Sequence, residues 1–261
     1  MGIMETDEWL LMHYDNPVKL CQQFVDYIPL SPSQIYTFLV SRGMYRPVRN
    51  GIDEVKKLQE KRIWEQLRLE YKGLRRWLKG PNIPVFILPS DTYNQRIQKE
   101  YGGKTGLAFR ECLFLFVSTQ NTIQELKAVL THEYHHICRL HALNKKEEDC
   151  TLLDTMILEG LAEAAVAERH SQAEHAAWVQ YYTKKQALAL WDRFLKDSCH
   201  IKRGTKQHDA LLNGLRGYPS MLGYCVGFYI VKDCLEHTKK GSIALLTLRS
   251  EEILHLAPSF S

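Results

Sequence analysis

Residues 130–140 read LTHEYHHICRL and place His132, Glu133, His135 and His136 within five positions. Apolar residues recur at helical spacing around the histidines, which predicts a helix from about residue 122 to residue 142. Positions four apart in an α-helix differ by about 40° around the axis, so His132 and His136 project from one face. Two imidazoles in this arrangement can bind one zinc ion, and Glu133 can reach a metal-bound water without being a ligand.

The motif by itself leaves two interpretations open. The chain contains eleven histidines, so a match to H-E-x-x-H can arise by chance in a histidine-rich segment. In one interpretation the stretch is the polar face of an ordinary helix. In the other it is half of a metal site, and a catalytic zinc site then needs a third protein ligand from another element.

A second segment, TMILEGLAEAAVA at residues 155–167, offers candidates for that ligand. Glu159 and Glu163 lie one helical turn apart within a segment that is apolar nearly all round, which predicts a buried helix. Because a buried carboxylate without a partner is costly, such groups are usually paired or bound to a metal. One glutamate can bind the metal while the other holds a histidine ligand. The alternative is a helix exposed on one side, with both glutamates in water. The register of the glutamates favours His136 over His135, which we expect to be an ordinary polar contact.

The rest of the chain predicts a mainly helical α+β fold with a small mixed sheet. Three short apolar runs read as strands, and a capping box at Thr122–Glu125 marks the start of the motif helix. The strands are predicted at residues 83–88, 106–110 and 112–118, and further helices at residues 53–79, 151–170, 172–197, 220–237 and 243–255. We expect three regions within one compact catalytic unit: helical residues 1–80, the sheet and motif helix at residues 81–143, and helical residues 144–261.

Composition excludes several classes of protein. The net charge of +4 over 261 residues, without dense basic clusters, argues against a nucleic-acid partner. The longest apolar runs are too short to span a bilayer, so no stable membrane insertion is expected. Seven cysteines without a C-x-x-C pair argue for reduced thiols and against a cysteine zinc ribbon. Together with a start that lacks a signal-peptide pattern, this composition predicts a cytoplasmic protein.

The sequence resembles the YjaZ-type family of predicted zinc-dependent proteases, which are gluzincin-like. The resemblance rests on THEYHH (131–136), DTMILEGLAE (154–163), GYPSMLGYCVGFYIV (217–231) and GGKTGLAF (102–109). It implies a zincin-like fold in which the sheet packs on the H-E-x-x-H helix. It also implies zinc held by His132, His136 and Glu159, with Glu133 as the catalytic glutamate and Glu163 steadying a ligand histidine.

The function expected from these features is zinc-dependent peptide-bond hydrolysis. A zinc-activated water would attack the peptide, with Glu133 as general base. The resemblance also implies a tyrosine or histidine further along the chain that donates a hydrogen bond to the oxyanion, and Tyr224 and Tyr218 are the candidates. The strand around Gly106–Phe109 could accept an extended peptide or protein substrate at a sheet edge. One alternative is a non-catalytic protein of the binding or regulatory class, in which zinc staples two helices. Another is a metal-free helical scaffold.

Overall fold

The computed structural model describes residues 2–261, apart from the side chains of residues 96 and 100. The chain divides into two compact units, residues 1–134 and 135–261. The division falls within one continuous helix, Ile123–Ala142, which carries the H-E-x-x-H motif. The three regions predicted from sequence, 1–80, 81–143 and 144–261, stay a prediction.

Helices form most of the first unit. They are α1 (Thr6–His13), α2 (Pro17–Leu20), α3 (Pro32–Arg42), α4 (Gly51–Glu60), α5 (Ile63–Leu78), α6 (Gln95–Glu100) and the first half of α7 (Ile123–Ala142). The helix predicted over residues 53–79 is interrupted, because Arg62 adopts a left-handed conformation with φ of 55°. The Arg62 guanidinium binds the Glu65 carboxylate at 2.5–2.6 Å, so the new helix starts with its own local ion pair.

The sheet has three strands in the order β1-β3-β2. They are β1 (Val85–Pro89), β2 (Thr105–Phe109) and β3 (Cys112–Val117). β1 runs parallel to β3 and β2 runs antiparallel to it, so the predicted mixed sheet is confirmed. All residues of β1 and β3 are buried, whereas β2 is half-buried along its whole length. A continuous apolar run therefore marks the two fully buried strands, β1 and the central β3, whereas the less buried β2 forms one edge of the sheet.

Aromatic side chains fix α7 to the rest of the first unit. The Tyr134 hydroxyl donates to the Pro81 carbonyl at 2.8 Å, and the Tyr134 ring meets Tyr71 of α5 edge-on at 5.2 Å. Lys104 binds Glu125 in the first turn of α7 at 2.8 Å, and Thr122 and Glu125 form the predicted capping box. These contacts set the register of the motif helix.

The second unit is helical. It contains the remainder of α7, α8 (Leu152–Arg169), α9 (Lys184–Leu190), α10 (Lys206–Asn213), α11 (Leu222–Thr238), α12 (Ser242–Leu245) and α13 (Ser250–His255). The helices predicted at residues 151–170 and 220–237 are confirmed. The one predicted at residues 172–197 is wrong in extent, because short 3₁₀ turns precede α9 and a π-helical turn follows it. The segment predicted at residues 243–255 forms two short helices instead of one.

Two glycines let α8 and α11 approach closely. A Cβ atom added to Gly227 would lie 2.1 Å from the Met156 carbonyl oxygen, and one added to Gly160 would lie 2.4 Å from the Gly227 carbonyl oxygen. Any side chain at either position would push the helices apart, since backbone atoms occupy the space. None of the helices within residues 2–261 has the length and apolar run needed to cross a bilayer.

All seven cysteines are free thiols. Burial raises the pKa of Cys21, Cys112 and Cys225 to about 12 and that of Cys199 to about 11. Burial is also the main cause of the raised pKa of Cys150 and Cys234. These six side chains behave as small apolar groups rather than reactive thiolates.

A buried polar network joins the end of α7 to the start of α8. Asp154 accepts hydrogen bonds from Ser250 (2.7 Å), Lys145 (2.5 Å) and the Thr151 amide (2.8 Å). Arg139 is 2% exposed and donates to the Ser250 hydroxyl and to backbone carbonyls at the end of α12. Burial lowers the pKa of Arg139 to about 10, although the Asp154 charge opposes that shift. Burial raises the pKa of Asp154, but the bonds from Lys145, Thr151 and Ser250 outweigh it and leave that pKa below its usual value.

We expect Asp154→Asn to destabilise the protein by about 2 kcal/mol at neutral pH, because its carboxylate receives charge-assisted hydrogen bonds. The folded-state pKa of Asp154 is depressed. Its contribution is therefore present above the unfolded pKa of about 4 and disappears as the pH falls through the folded value. Denaturant unfolding from pH 7 to about pH 2 should show the difference between wild type and variant shrinking below pH 4. A pH-independent difference would contradict this account.

Candidate metal centre

Helix α7 presents His132 and His136 one turn apart on the same face. Tyr134, two positions from each histidine, points to the opposite side and holds the helix through Tyr71 and Pro81. The contacts of Tyr134 therefore fix the orientation of the helix face that carries the two histidines. His136 is 7% exposed, and His132 and Glu133 are half-buried.

Helix α8 supplies Glu159. The helix begins with a capping box between Thr151 and Asp154, and its packing through Gly160 fixes it against α11. Glu159 Oε2 lies 3.6 Å from His136 Nε2, and the two side chains are only 12% and 9% exposed. Two ligands on one tetrahedral zinc, each at about 2.0–2.2 Å from the ion, are separated by about 3.4 Å. The observed distance suits two ligands of a single ion.

The three residues meet the requirements of a metal site. One ligand atom from each of His132, His136 and Glu159 lies within 4.8 Å of the others. Within the part of the chain that the structure describes, this group has three members. Two histidines and one glutamate form a donor set that catalytic zinc sites use, whereas structural zinc sites are closed by four ligands. The donor chemistry therefore fits zinc.

Glu133 packs against the edge strand of the sheet. A Cβ atom added to Gly106 in β2 would lie 2.1 Å from Glu133 Cγ and 2.5 Å from its Oε1. The Glu133 carboxyl group therefore occupies the space that a side chain at position 106 would need. The sequence predicts Gly106 in an edge strand, but it does not predict this contact with Glu133. No local signal reveals it, since Gly106 and Glu133 belong to different elements.

Glu163 is buried and binds a histidine that the sequence analysis did not single out. Its Oε2 accepts hydrogen bonds from His175 Nδ1 at 2.8 Å and from the Ala176 amide at 3.0 Å. His175 lies beyond the end of α8, and its ring meets Phe228 of α11 edge-on at 5.4 Å. The predicted contact of Glu163 with a ligand histidine stays a prediction. The only sequence signal for His175 was that a buried glutamate requires a partner.

The polar residues along α8 share a pattern. Thr155, Glu159 and Glu163 are spaced by four and so lie along one stripe of the helix. Each meets an imidazole from a different element: the Thr155 hydroxyl is 3.1 Å from His208 Nε2, Glu159 lies beside His136, and Glu163 binds His175. Glu159 is therefore flanked on both sides by polar pairs within a largely apolar helix.

The remaining candidates have distinct surroundings. His135 is fully buried and stands outside the three-residue group found among the described residues. Tyr224, in the first turn of α11, packs edge-on against Trp178 at 5.3 Å. Trp178 follows closely after Ala176, so Tyr224 lies near the segment that Glu163 holds. Tyr218 packs against Phe194 at 5.6 Å, before α11 begins. Their roles in catalysis stay predictions.

The protein is an α+β protein, mostly helical, with a candidate three-ligand metal centre. Residues 63–255 match a family described as predicted Zn-dependent protease (DUF2268). The chain is 42% identical over 262 residues to the uncharacterized protein YjaZ of Bacillus subtilis (strain 168), covering 97% of this chain and 98% of that protein. The chain therefore belongs to this family, as its motifs predicted. No solved structure matches it.

Zinc content should depend on Glu159. Wild type purified without chelator is expected to hold about one zinc per chain, and Glu159→Ala clearly less, because the variant lacks one of the three ligands. His141→Ala is the matched control, since it removes a histidine from the same helix outside the ligand group. Elemental analysis of the three proteins measures this directly. Equal zinc in wild type and Glu159→Ala would remove Glu159 from the ligand set.

Proposed function

We propose that this protein is a zinc-dependent metallopeptidase. The observation that carries the proposal is the three-ligand group His132, His136 and Glu159, with Glu133 directly beside the first ligand. Three protein ligands leave one coordination position for water or substrate, which a purely structural site does not. Membership in a family described as predicted Zn-dependent protease supports the same reaction.

The metal would be held by His132, His136 and Glu159. A zinc ion held there would supply a water of lowered pKa, about 7, and a Lewis acid for the peptide carbonyl. The low exposure of His136 and Glu159 favours this chemistry, because electrostatic interactions are stronger where water is excluded. The hydrogen bonds of Glu163 hold His175 and the segment after α8 against α8. We infer that this segment helps to keep Glu159, one turn away on α8, in place.

Glu133 is proposed as the general base. It follows His132 on α7, so its carboxylate lies next to the ligand face without belonging to it. It accepts a proton from the attacking water and passes it to the leaving amine. Gly106 leaves room for the carboxyl group beside β2, so the base is held between its helix and the edge strand.

An extended peptide substrate would pair with β2. Phe109 and Cys112 flank a two-residue turn, and the closing pair of such a hairpin exchanges hydrogen bonds. Because hydrogen-bonded and non-bonded pairs alternate along an antiparallel ladder, Gly106 and Ala108 direct their N–H and C=O groups away from β3. These two residues also have small side chains on the face that carries Glu133. A peptide added at this edge would run beside the proposed base, in a zincin-like arrangement of sheet and helix.

Three side chains are proposed donors to the carbonyl oxygen as it becomes negative. Tyr224 and Tyr218 were predicted from sequence, and the Glu163-bound His175 joins them. The contact of Tyr224 with Trp178, close to the Glu163-bound segment, favours Tyr224 over Tyr218, which packs on Phe194.

We also assign the protein to the cytoplasm, since all seven of its cysteines are free thiols.

Glu133→Gln is expected to retain zinc and lose peptidase activity. The amide cannot accept the proton, and a positioned general base contributes about 10²–10⁴-fold to such reactions. Cleavage of a mixed peptide library, with zinc content and thermal unfolding measured in parallel, checks the prediction. Retained cleavage would exclude Glu133 as the base. No cleavage by wild type that holds zinc would favour a zinc-stapled binding or regulatory protein instead.

Gly106→Ala is expected to reduce kcat by about 10²-fold, because displacement of a reacting group by about 1 Å costs this much. The added methyl would collide with Glu133, whereas the zinc ligands on α7 and α8 are unchanged. Ala108→Gly is the control, since it loosens the same strand without crowding the carboxyl group. Normal kcat in Gly106→Ala would show that β2 does not position Glu133.

A further inference from the structure

Helix α5 carries a row of cations that the catalytic proposal does not use. Arg68, Lys72, Arg75 and Arg76 fall within an arc of about 100° around the helix, and Lys79 follows at its C-terminal end. We call these five residues the α5 basic stripe. The stripe is about 16 Å long at 1.5 Å per residue. Its side chains are exposed or half-buried.

The α5 basic stripe is not neutralised by acidic residues. Most other cations of the first unit that have a defined contact bind carboxylates, as Lys57 does with Glu54 and Lys104 with Glu125. Over residues 2–261, leaving aside the two side chains that are not described, no ion pair or side-chain hydrogen bond reaches the stripe. The Nε atom of Arg75 is buried without an acceptor, which is costly for a charged donor. The one acid on this side, Glu65, is bound by Arg62.

The stripe lies away from the ligand face of α7. The opposite side of α5 is buried through Leu67, Tyr71 and Leu74, and Tyr71 contacts Tyr134. Tyr134 projects from α7 roughly 160–200° away from His132 and His136. The helix that bears the cations therefore packs behind the motif helix, so the stripe could bind a partner without covering Glu133.

We propose that the α5 basic stripe docks the protein peripherally on anionic lipid headgroups of a bilayer. A row of cations along one helix is convex and fits a flat anionic surface, where each basic residue contributes to binding. Leu69 borders the stripe three positions from Lys72 and is 65% exposed, which suits the boundary of headgroups and acyl chains. Docking is electrostatic, since the apolar face of α5 is buried in the protein.

The test is co-sedimentation of the zinc-loaded full chain with vesicles of phosphatidylglycerol and phosphatidylcholine, compared with phosphatidylcholine alone. Binding is expected only to the anionic vesicles and should disappear at about 0.5 M salt, because screening shortens the range of the charges. Lys72→Glu/Arg76→Glu should weaken binding by at least about 25-fold, roughly fivefold for each cation lost. Lys196→Glu/Lys206→Glu makes the same change in net charge at exposed lysines of the second unit and should bind like wild type.

Three results would overturn the proposal: no binding to anionic vesicles by wild type, equal loss in both double variants, or tighter binding to duplex DNA than to vesicles. Equal loss would mean that net charge alone drives association, and preference for DNA would make the stripe a nucleic-acid surface. Circular dichroism and zinc content confirm that each variant is folded. Because Lys72 and Arg76 lie outside the metal centre, unchanged peptidase activity in their variant separates this proposal from the proposed function.

Discussion

The burial of charged groups along α8 is the constraint on which the second unit depends. The helix is apolar over most of its surface, yet it carries Asp154, Glu159 and Glu163. An isolated carboxylate in such a setting is too costly to persist, so each must be met by a partner. Asp154 accepts hydrogen bonds from Lys145, from Ser250 and from the start of its own helix. Glu163 accepts a hydrogen bond from the segment after α8. Glu159 lies between them, next to His136.

In both units, glycines provide space that a side chain would otherwise fill. At Gly160 and Gly227 the absence of side chains brings two backbones together, which fixes α8 at close range to α11. At Gly106 the absent side chain instead leaves space for the Glu133 carboxyl group. The lack of a side chain therefore allows close helix packing at Gly160 and Gly227, and at Gly106 it leaves room for a carboxyl group. We therefore expect substitution of Gly160 or Gly227 to lower stability, and substitution of Gly106 to displace the Glu133 carboxyl group.

The sequence predicted those features that depend on periodicity. The spacing of His132 and His136, the apolar surroundings of Glu159, and the three strands follow from local repeats of 3.6 or 2 residues. The break at Arg62 was missed because neither glycine nor proline marks it. His175 was missed because a loop, which has no period, delivers it to Glu163. The irregular turns before α9 likewise result from tertiary contacts that override local helix propensity.

The seven cysteines of this chain could compete with the candidate ligands for a metal ion. Thiolates bind zinc strongly, but only the deprotonated form is a ligand. Burial raises the pKa of six of these sulfur atoms, so a metal ion would have to displace a more tightly held proton at each of them. Burial of the thiols therefore favours the imidazole and carboxylate groups of the candidate centre as ligands for a metal ion. The metal content of this protein would consequently report on the candidate centre more than on an average over cysteine sites.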